Sequence, residues 1–176
     1  MESEVVMKIF RVLTAVLLSW LCVAASVAEA QMVILVRHAE RADAGAAAGA
    51  AMTGTPDPEL SEAGKARAQA LVAMLKGAGI TAIYTTEFRR TIDTALPLSD
   101  ALNVVSTTVP AREQASLIEK LKAHTGGAVL VVGHSNTVPA IIKALGGPAF
   151  TIAENEYDNI FFVAPGGVTT RIRFTP

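Results

Sequence analysis

The sequence predicts an α/β protein, a three-layer sandwich in which a mostly parallel central sheet carries helices on both faces. Three observations lead there. Two strand-length runs, residues 32–36 and 128–132, are apolar at every position, as strands buried on both faces of a parallel sheet are. Strand-like and helix-like segments alternate from residue 32 to residue 145, the order a layered α/β domain requires. The third is bulk: 51% of 176 residues are hydrophobic, enough for a core on each side of a sheet within one domain.

Part of that content belongs to the N-terminus. Met7-Lys8-Ile9-Phe10-Arg11 is a basic start, residues 12–25 are apolar apart from Thr14 and Ser19, and Ala28-Glu29-Ala30 presents an A-x-A cleavage signature before Gln31. The expectation is a cleaved secretory signal over residues 1–30, with a single domain over 31–176 and a periplasmic or secreted destination. The apolar run is shorter than the roughly 20 residues a spanning helix needs, so no stable membrane insertion is expected after cleavage. Met7 is a second candidate start, because Glu2 and Glu4 add acid where such signals carry base. The only cysteine, Cys22, lies inside this segment, and Leu21 stands where a lipoprotein signal would carry a small residue. The expected mature chain has no cysteine and equal numbers of acidic and basic residues, which favours neither a disulfide framework nor nucleic acid as a partner.

Residues 42–58, rich in Ala and Gly, read as a surface loop with room for a helical turn. Gly49 and Gly54 have the spacing of a nucleotide-binding P-loop, but Thr55-Pro56 replaces the lysine and hydroxyl that would meet phosphate and magnesium. Ser61 caps a helix whose apolar stripe is Leu60, Ala68, Leu71, Val72 and Leu75 and which stops at Gly77-Ala78-Gly79. Residues 81–85 form a second strand that turns through Thr86-Glu87-Phe88-Arg89-Arg90 into a helix, which Pro97 is expected to kink or restart. A third strand is expected over 103–108 and a helix over 110–124, followed by the strand 128–132 and a helix over 137–145. His124, at a helix end before Gly126-Gly127, reads as a cap. Residues 159–163 and 168–174, around Pro165-Gly166-Gly167, form a closing hairpin.

The chemistry collects at strand ends. Arg37-His38-Ala39-Glu40 follows the first strand, Arg90 opens the helix after the second, and Gly133-His134-Ser135-Asn136 follows residues 128–132. Ligands of open α/β sheets bind at the carboxyl ends of strands. Two arginines offer planar forks to phosphate oxygens, and imidazole attacks or carries protons near neutrality, so the pattern indicates phosphoryl transfer. For His38 to attack through one ring nitrogen, the other should donate to a backbone carbonyl. Ser135 as a serine nucleophile is opposed by Thr137 at the second glycine position of that motif and by the absence of any later histidine. The three histidines lack zinc-ligand spacing, and neither metal nor cofactor is expected.

The ordered segments Leu35-Val36-Arg37-His38-Ala39-Glu40, Leu60-Ser61-Glu62-Ala63-Gly64, Thr85-Thr86-Glu87-Phe88-Arg89-Arg90 and Val132-Gly133-His134-Ser135-Asn136 resemble the motifs of the histidine phosphatase superfamily, the phosphoglycerate mutase-like fold. The resemblance implies that His38 becomes phosphohistidine, that Arg37, Arg90 and His134 hold the phosphoryl group, and that Glu113 is the nearest counterpart of the family's catalytic acid. Glu40, Arg41, Ser135 and Asn136 then support the site, Glu40 as a partner for an arginine or an amide. Arg89 reads as a solvated neighbour. Tyr157 and Asp158 precede a late strand, and spacing does not place them. The implied activity is hydrolysis of a small-molecule or glycan phosphate monoester, on a sugar, glycan or lipid-linked saccharide. The alternatives are a phosphohistidine-protein phosphatase and a non-catalytic phosphate binder.

Overall fold

The computed structural model describes residues 31–43 and 57–176. The expected signal segment and most of the Ala/Gly-rich loop lie outside them. The order is β1 (Val33–Arg37), α1 (Glu62–Leu75), β2 (Ile80–Thr85), α2 (Arg89–Leu102), β3 (Ser106–Thr108), α3 (Gln114–Ala123), β4 (Ala128–Gly133), α4 (Thr137–Ala144), β5 (Asn159–Val163) and β6 (Thr169–Arg173). One six-stranded sheet runs β3-β2-β4-β1-β5-β6. Its first four strands are mutually parallel, while β5 runs antiparallel to β1 and β6 antiparallel to β5.

The two wholly apolar runs are the central pair. β1 and β4 lie side by side, from Val33 opposite Val129 to Arg37 opposite Gly133, and every residue of both is buried. Alternate side chains therefore serve two cores. Leu35, Val129, Val131 and Phe161 pack with Leu117 and Leu121 of α3 and Val138, Ile141 and Ile142 of α4. Ile34, Val36, Leu130 and Val132 pack on the other face with Leu71 and Leu75 of α1 and Ala95 and Leu98 of α2. Two helices per face make the expected three layers.

Several boundaries differ from expectation for local reasons. α2 runs unbroken through Pro97, with Ala95 and Leu98 fully buried on either side of it. β3 begins only at Ser106, because Asn103 adopts a left-handed conformation (φ 53°) and Val104 donates to the Ser99 carbonyl, so these residues finish α2 instead of extending a strand. α3 starts at Gln114, since residues 110–113 form a turn closed by Glu113 N–H to the Pro110 carbonyl. His124 does end α3, and its Nε2 lies 2.9 Å from Thr81 Oγ1.

The start of α1 is clamped to the turn after β1. Ser61 accepts from Gly64 N at 3.1 Å as the helix cap, and its own N–H donates to the Glu40 carbonyl at 2.9 Å. A Cβ at Gly64 would sit 2.2 Å from that same carbonyl oxygen. The helix can approach the turn this closely only with glycine there. Gly64→Ala is therefore expected to lower stability by about 1–3 kcal/mol, the usual cost of overpacking against unyielding backbone. A fall in the urea midpoint at unchanged slope would register it; an unchanged midpoint would show that the turn moves freely.

Candidate active site

The site is assembled by strand ends. His38 follows directly on β1, and its N–H donates to the Gly133 carbonyl at 2.9 Å, adding one rung to the β1–β4 ladder just where β4 gives way to His134. The two imidazoles consequently meet, with ring centroids 5.4 Å apart and planes at 64°. The next peptide is fixed from the opposite layer. Ala39 N–H donates to Thr94 Oγ1 at 2.9 Å, and that hydroxyl donates in turn to the Arg90 carbonyl at 2.6 Å, so the turn bearing His38 is tied to the α2 turn bearing Arg90.

His38 Nδ1 lies 2.8 Å from the Ala39 carbonyl. A carbonyl only accepts, so Nδ1 carries the proton and Nε2 keeps its lone pair. Nε2 has no hydrogen bond among the described residues and is not a buried unpartnered atom, which leaves it open to the cleft that His38 lines. Burial is the main reason that the His38 pKa falls from 6.5 to about 3, helped by the positive charges of Arg37 and Arg90 and opposed by the Ala39 carbonyl. His134 is lowered to about 4, again by burial first and then by Arg90. Both rings are neutral near neutrality.

Arg37 and Arg90 flank the histidines and are built alike. The Arg37 guanidinium lies over the Tyr157 ring and that of Arg90 over the Phe88 ring, each 4.2 Å from the centroid. Arg37 Nη1 donates to the carbonyls of Ala153, Glu154 and Glu156, while Nη2 meets the Glu154 carboxylate at 2.9 Å. Arg90 Nη1 reaches Asp57 at 3.4 Å. In each guanidinium Nε is buried with no partner among the described residues. Two cationic side chains beside two neutral imidazoles give the cleft a positive lining suited to an oxyanion.

The cleft occupies about 430 Å³, and its lining includes all four of these residues together with Arg41, Phe88, Arg112, Ser135, Asn136 and Glu154. Arg41 is paired with Asp43. Ser135 donates to Glu154 at 2.7 Å, and this bond, with the Arg37 charge, holds the Glu154 carboxyl below its ordinary range. Glu40 finds an arginine, although a different one from those of the cleft. Its carboxylate takes Nε and Nη2 of Arg67, whose hydrogen bonds and charge hold its pKa down against burial. Arg89 pairs with Glu59 and Asp93 in a half-exposed position. Glu113 is not brought to the cleft: it is exposed in the turn before α3, and its neighbours Arg112 and Gln114 line the cavity instead.

Sequence reasoning missed Phe88, Thr86, Thr94 and Glu154, and left Tyr157 unplaced. The late residues arrive because β5 is antiparallel to β1, with Ile160 opposite Val36, so the chain entering β5 crosses the same sheet edge that β1 leaves. The readable signal was the closing hairpin, whose sense the sequence left open. Asp158 points to other business, pairing with Arg173 at 3.0 Å.

A layered α/β fold here brings two neutral histidines and two stacked arginines to the carboxyl ends of parallel strands, a lining suited to a phosphoryl-like oxyanion. The family model of the histidine phosphatase superfamily, branch 1, matches residues 33–119 of the chain. Similar solved structures include a mycobacterial glucosyl-3-phosphoglycerate phosphatase (17% identity over 84% of this chain and 98% of that one, TM-score 0.58). The protein histidine phosphatase SixA, complexed with tungstate, is 21% identical over 80% of this chain and 94% of that one (TM-score 0.59). A putative α-ribazole-5′-phosphate phosphatase from Escherichia coli is 17% identical over 84% and 97% (TM-score 0.55). No curated protein is significantly similar to the chain in sequence.

The depressed histidine pKa values carry a stability consequence with a definite sign. A His38 that stays neutral to about pH 3 when folded, but takes a proton near 6.5 when unfolded, lets the unfolded chain bind more protons between those values. Stability contributed by this group is intact above pH 6.5 and lost as pH falls. At about pH 4 the loss should be on the order of 3 kcal/mol. Denaturant titrations at neutral and mildly acid pH should show a smaller acid loss for His38→Gln than for wild type; identical losses would mean that His38 titrates normally.

Proposed function

We propose that this protein is a phosphatase that hydrolyses phosphate monoesters through a phosphohistidine on His38. The observation that carries the reading is the convergence of Arg37, Arg90 and His134 on one cleft with a histidine whose Nδ1 is committed to a carbonyl. In the first step the Nε2 lone pair attacks phosphorus, the P–O ester bond breaks, and the leaving oxygen takes a proton from solvent water. Water then attacks the phosphohistidine and gives its proton to solvent, the P–N bond breaks, Nε2 regains its lone pair, and inorganic phosphate departs. The arginines stabilise the charge of the transferring group in both steps.

The substrate we favour is a small phosphate monoester on a sugar or glycan, met outside the cytoplasm after removal of residues 1–30. The cleft volume suits a small molecule, and the name of the mycobacterial structural neighbour is that of a phosphatase acting on a phosphorylated sugar derivative. A phosphohistidine protein is the second reading. It is favoured by one observation: Glu154, the carboxylate lining the cleft, is held in its charged form, so an easily departing nitrogen would suit the site better than an alkoxide.

Wild type should hydrolyse an aryl phosphate in excess chelator, and His38→Ala should be slower by about a thousandfold or more. Intact mass after quenching in base should reveal one phosphoryl group on wild type and none on the variant. Equal rates would remove His38 as nucleophile, and phosphate binding without turnover by wild type would make the protein a binder. A sugar phosphate and a phosphorylated histidine protein compared at equal concentration distinguish the two substrates by kcat/KM. For export, the expected result is a mature N-terminus at Gln31 in the extracytoplasmic fraction of the expressing cell; full-length chain retained in the cytoplasm would overturn it.

A further inference from the structure

The two ring nitrogens of His134 are not equivalent. Nε2 lies 3.0 Å from Thr86 Oγ1. Nδ1 makes no hydrogen bond among the described residues and is not a buried unpartnered atom, so it is open to the cleft that His134 lines. Which nitrogen holds the proton follows from the hydroxyls behind the ring. Thr91 Oγ1 is 2.7 Å from the Phe88 carbonyl and 3.1 Å from the Thr86 carbonyl. Carbonyls only accept, so the Thr91 proton is spent there. Thr91 Oγ1 must then accept from Thr86 Oγ1, 2.9 Å away, which spends the Thr86 proton as well. Toward the ring, Thr86 Oγ1 has only a lone pair to offer, and Phe88 N–H approaches the same oxygen at 3.5 Å. Both threonines are buried, at 7% and 0% exposure, so water does not compete for these bonds.

We infer that Thr86 and Thr91 are positioning residues whose hydroxyl chain, anchored on the Phe88 carbonyl, holds His134 as the Nε2–H tautomer and turns an unprotonated Nδ1 toward the bound phosphoryl group. That the group beside Nδ1 is a phosphoryl rests on the phosphatase reading; the tautomer does not. The surroundings of the ring favour this division of labour. His38 from the end of β1 and Phe88 from the turn before α2 each stand 5.4 Å away, and the charges that act on His134 are Arg37, Arg90, Glu87 and Asp57. An oxyanion brought against a bare lone pair is repelled, whereas one proton shared between Nδ1 and a phosphoryl oxygen makes a charge-assisted hydrogen bond. Binding of phosphate therefore draws one proton into the site, and Nδ1 is where it rests.

Long-range proton–nitrogen NMR on the full chain, with isotope-labelled imidazole nitrogens and His134 assigned by substituting His38 and His124, reads the tautomer directly. At neutral pH wild type and Thr86→Ser should give the Nε2–H form of His134, and Thr86→Val should give a mixture or the Nδ1–H form. Inorganic phosphate should move Nδ1 of wild type to its protonated position. A predominantly Nδ1–H ring in wild type, no change in Thr86→Val, or an unprotonated Nδ1 in the phosphate complex would each overturn the inference. Should Thr86→Val not fold, Thr91→Val applies the same test one bond further back, with Thr91→Ser as its control. In kinetics, Thr86→Val should lower kcat about ten- to hundredfold with a smaller change in KM, and Thr86→Ser should restore it. The expected tautomers in a protein that hydrolyses no ester would sink the phosphatase reading and leave this one standing.

Discussion

The pairing of β1 with β4 is the constraint on which everything else rests. These strands are far apart in sequence yet adjacent and parallel at the middle of the sheet, and their register ends with Arg37 opposite Gly133. One further hydrogen bond, from His38 N–H to the Gly133 carbonyl, carries the ladder into the residues that do chemistry. A one-residue slip would invert both strands, sending each core's side chains to the wrong face. The apolar burial of nine strand residues thus fixes the separation of two imidazoles, and the protein obtains its most exacting distance from its least specific force.

Around that pair the site is held by supporting groups. Thr94 couples the turn after β1 to α2, Thr137 accepts the His134 N–H at 2.8 Å, and Tyr157 and Phe88 each support one guanidinium from beneath. Burial near cations is what keeps both histidines neutral, and neutrality is what a nucleophile requires. The same positive surroundings that depress their basicity favour an oxyanion in the cleft.

Much of this was legible in the sequence because the relevant signals are local. Unbroken apolar runs ending in charge located β1, β4, Arg37, His38 and His134, and the serine before Glu62 located the α1 cap. What the sequence withheld depends on geometry between distant segments. The sense of the β5 strand decides whether Glu154 and Tyr157 reach the cleft, and no short-range pattern encodes that sense. Glu113 does not arrive for a related reason: the four-residue turn before α3 faces its neighbours, and not Glu113 itself, toward the cavity. The helix does not restart at Pro97, because a packed helix flanked by buried Ala95 and Leu98 tolerates a missing hydrogen bond that an isolated one would not.

The antiparallel β5 also divides the protein's labour along its length. The match to the family model ends at residue 119 and the last family-like motif at residue 136, whereas the segment that wraps the Arg37 guanidinium runs over residues 153–157. The attacking apparatus and the wall beside it therefore belong to separate stretches of chain that share only an edge of the sheet. The strand pairing that aligns the histidines includes none of residues 153–157. In such a fold the histidine pair and the wall beside it are specified by different stretches of chain.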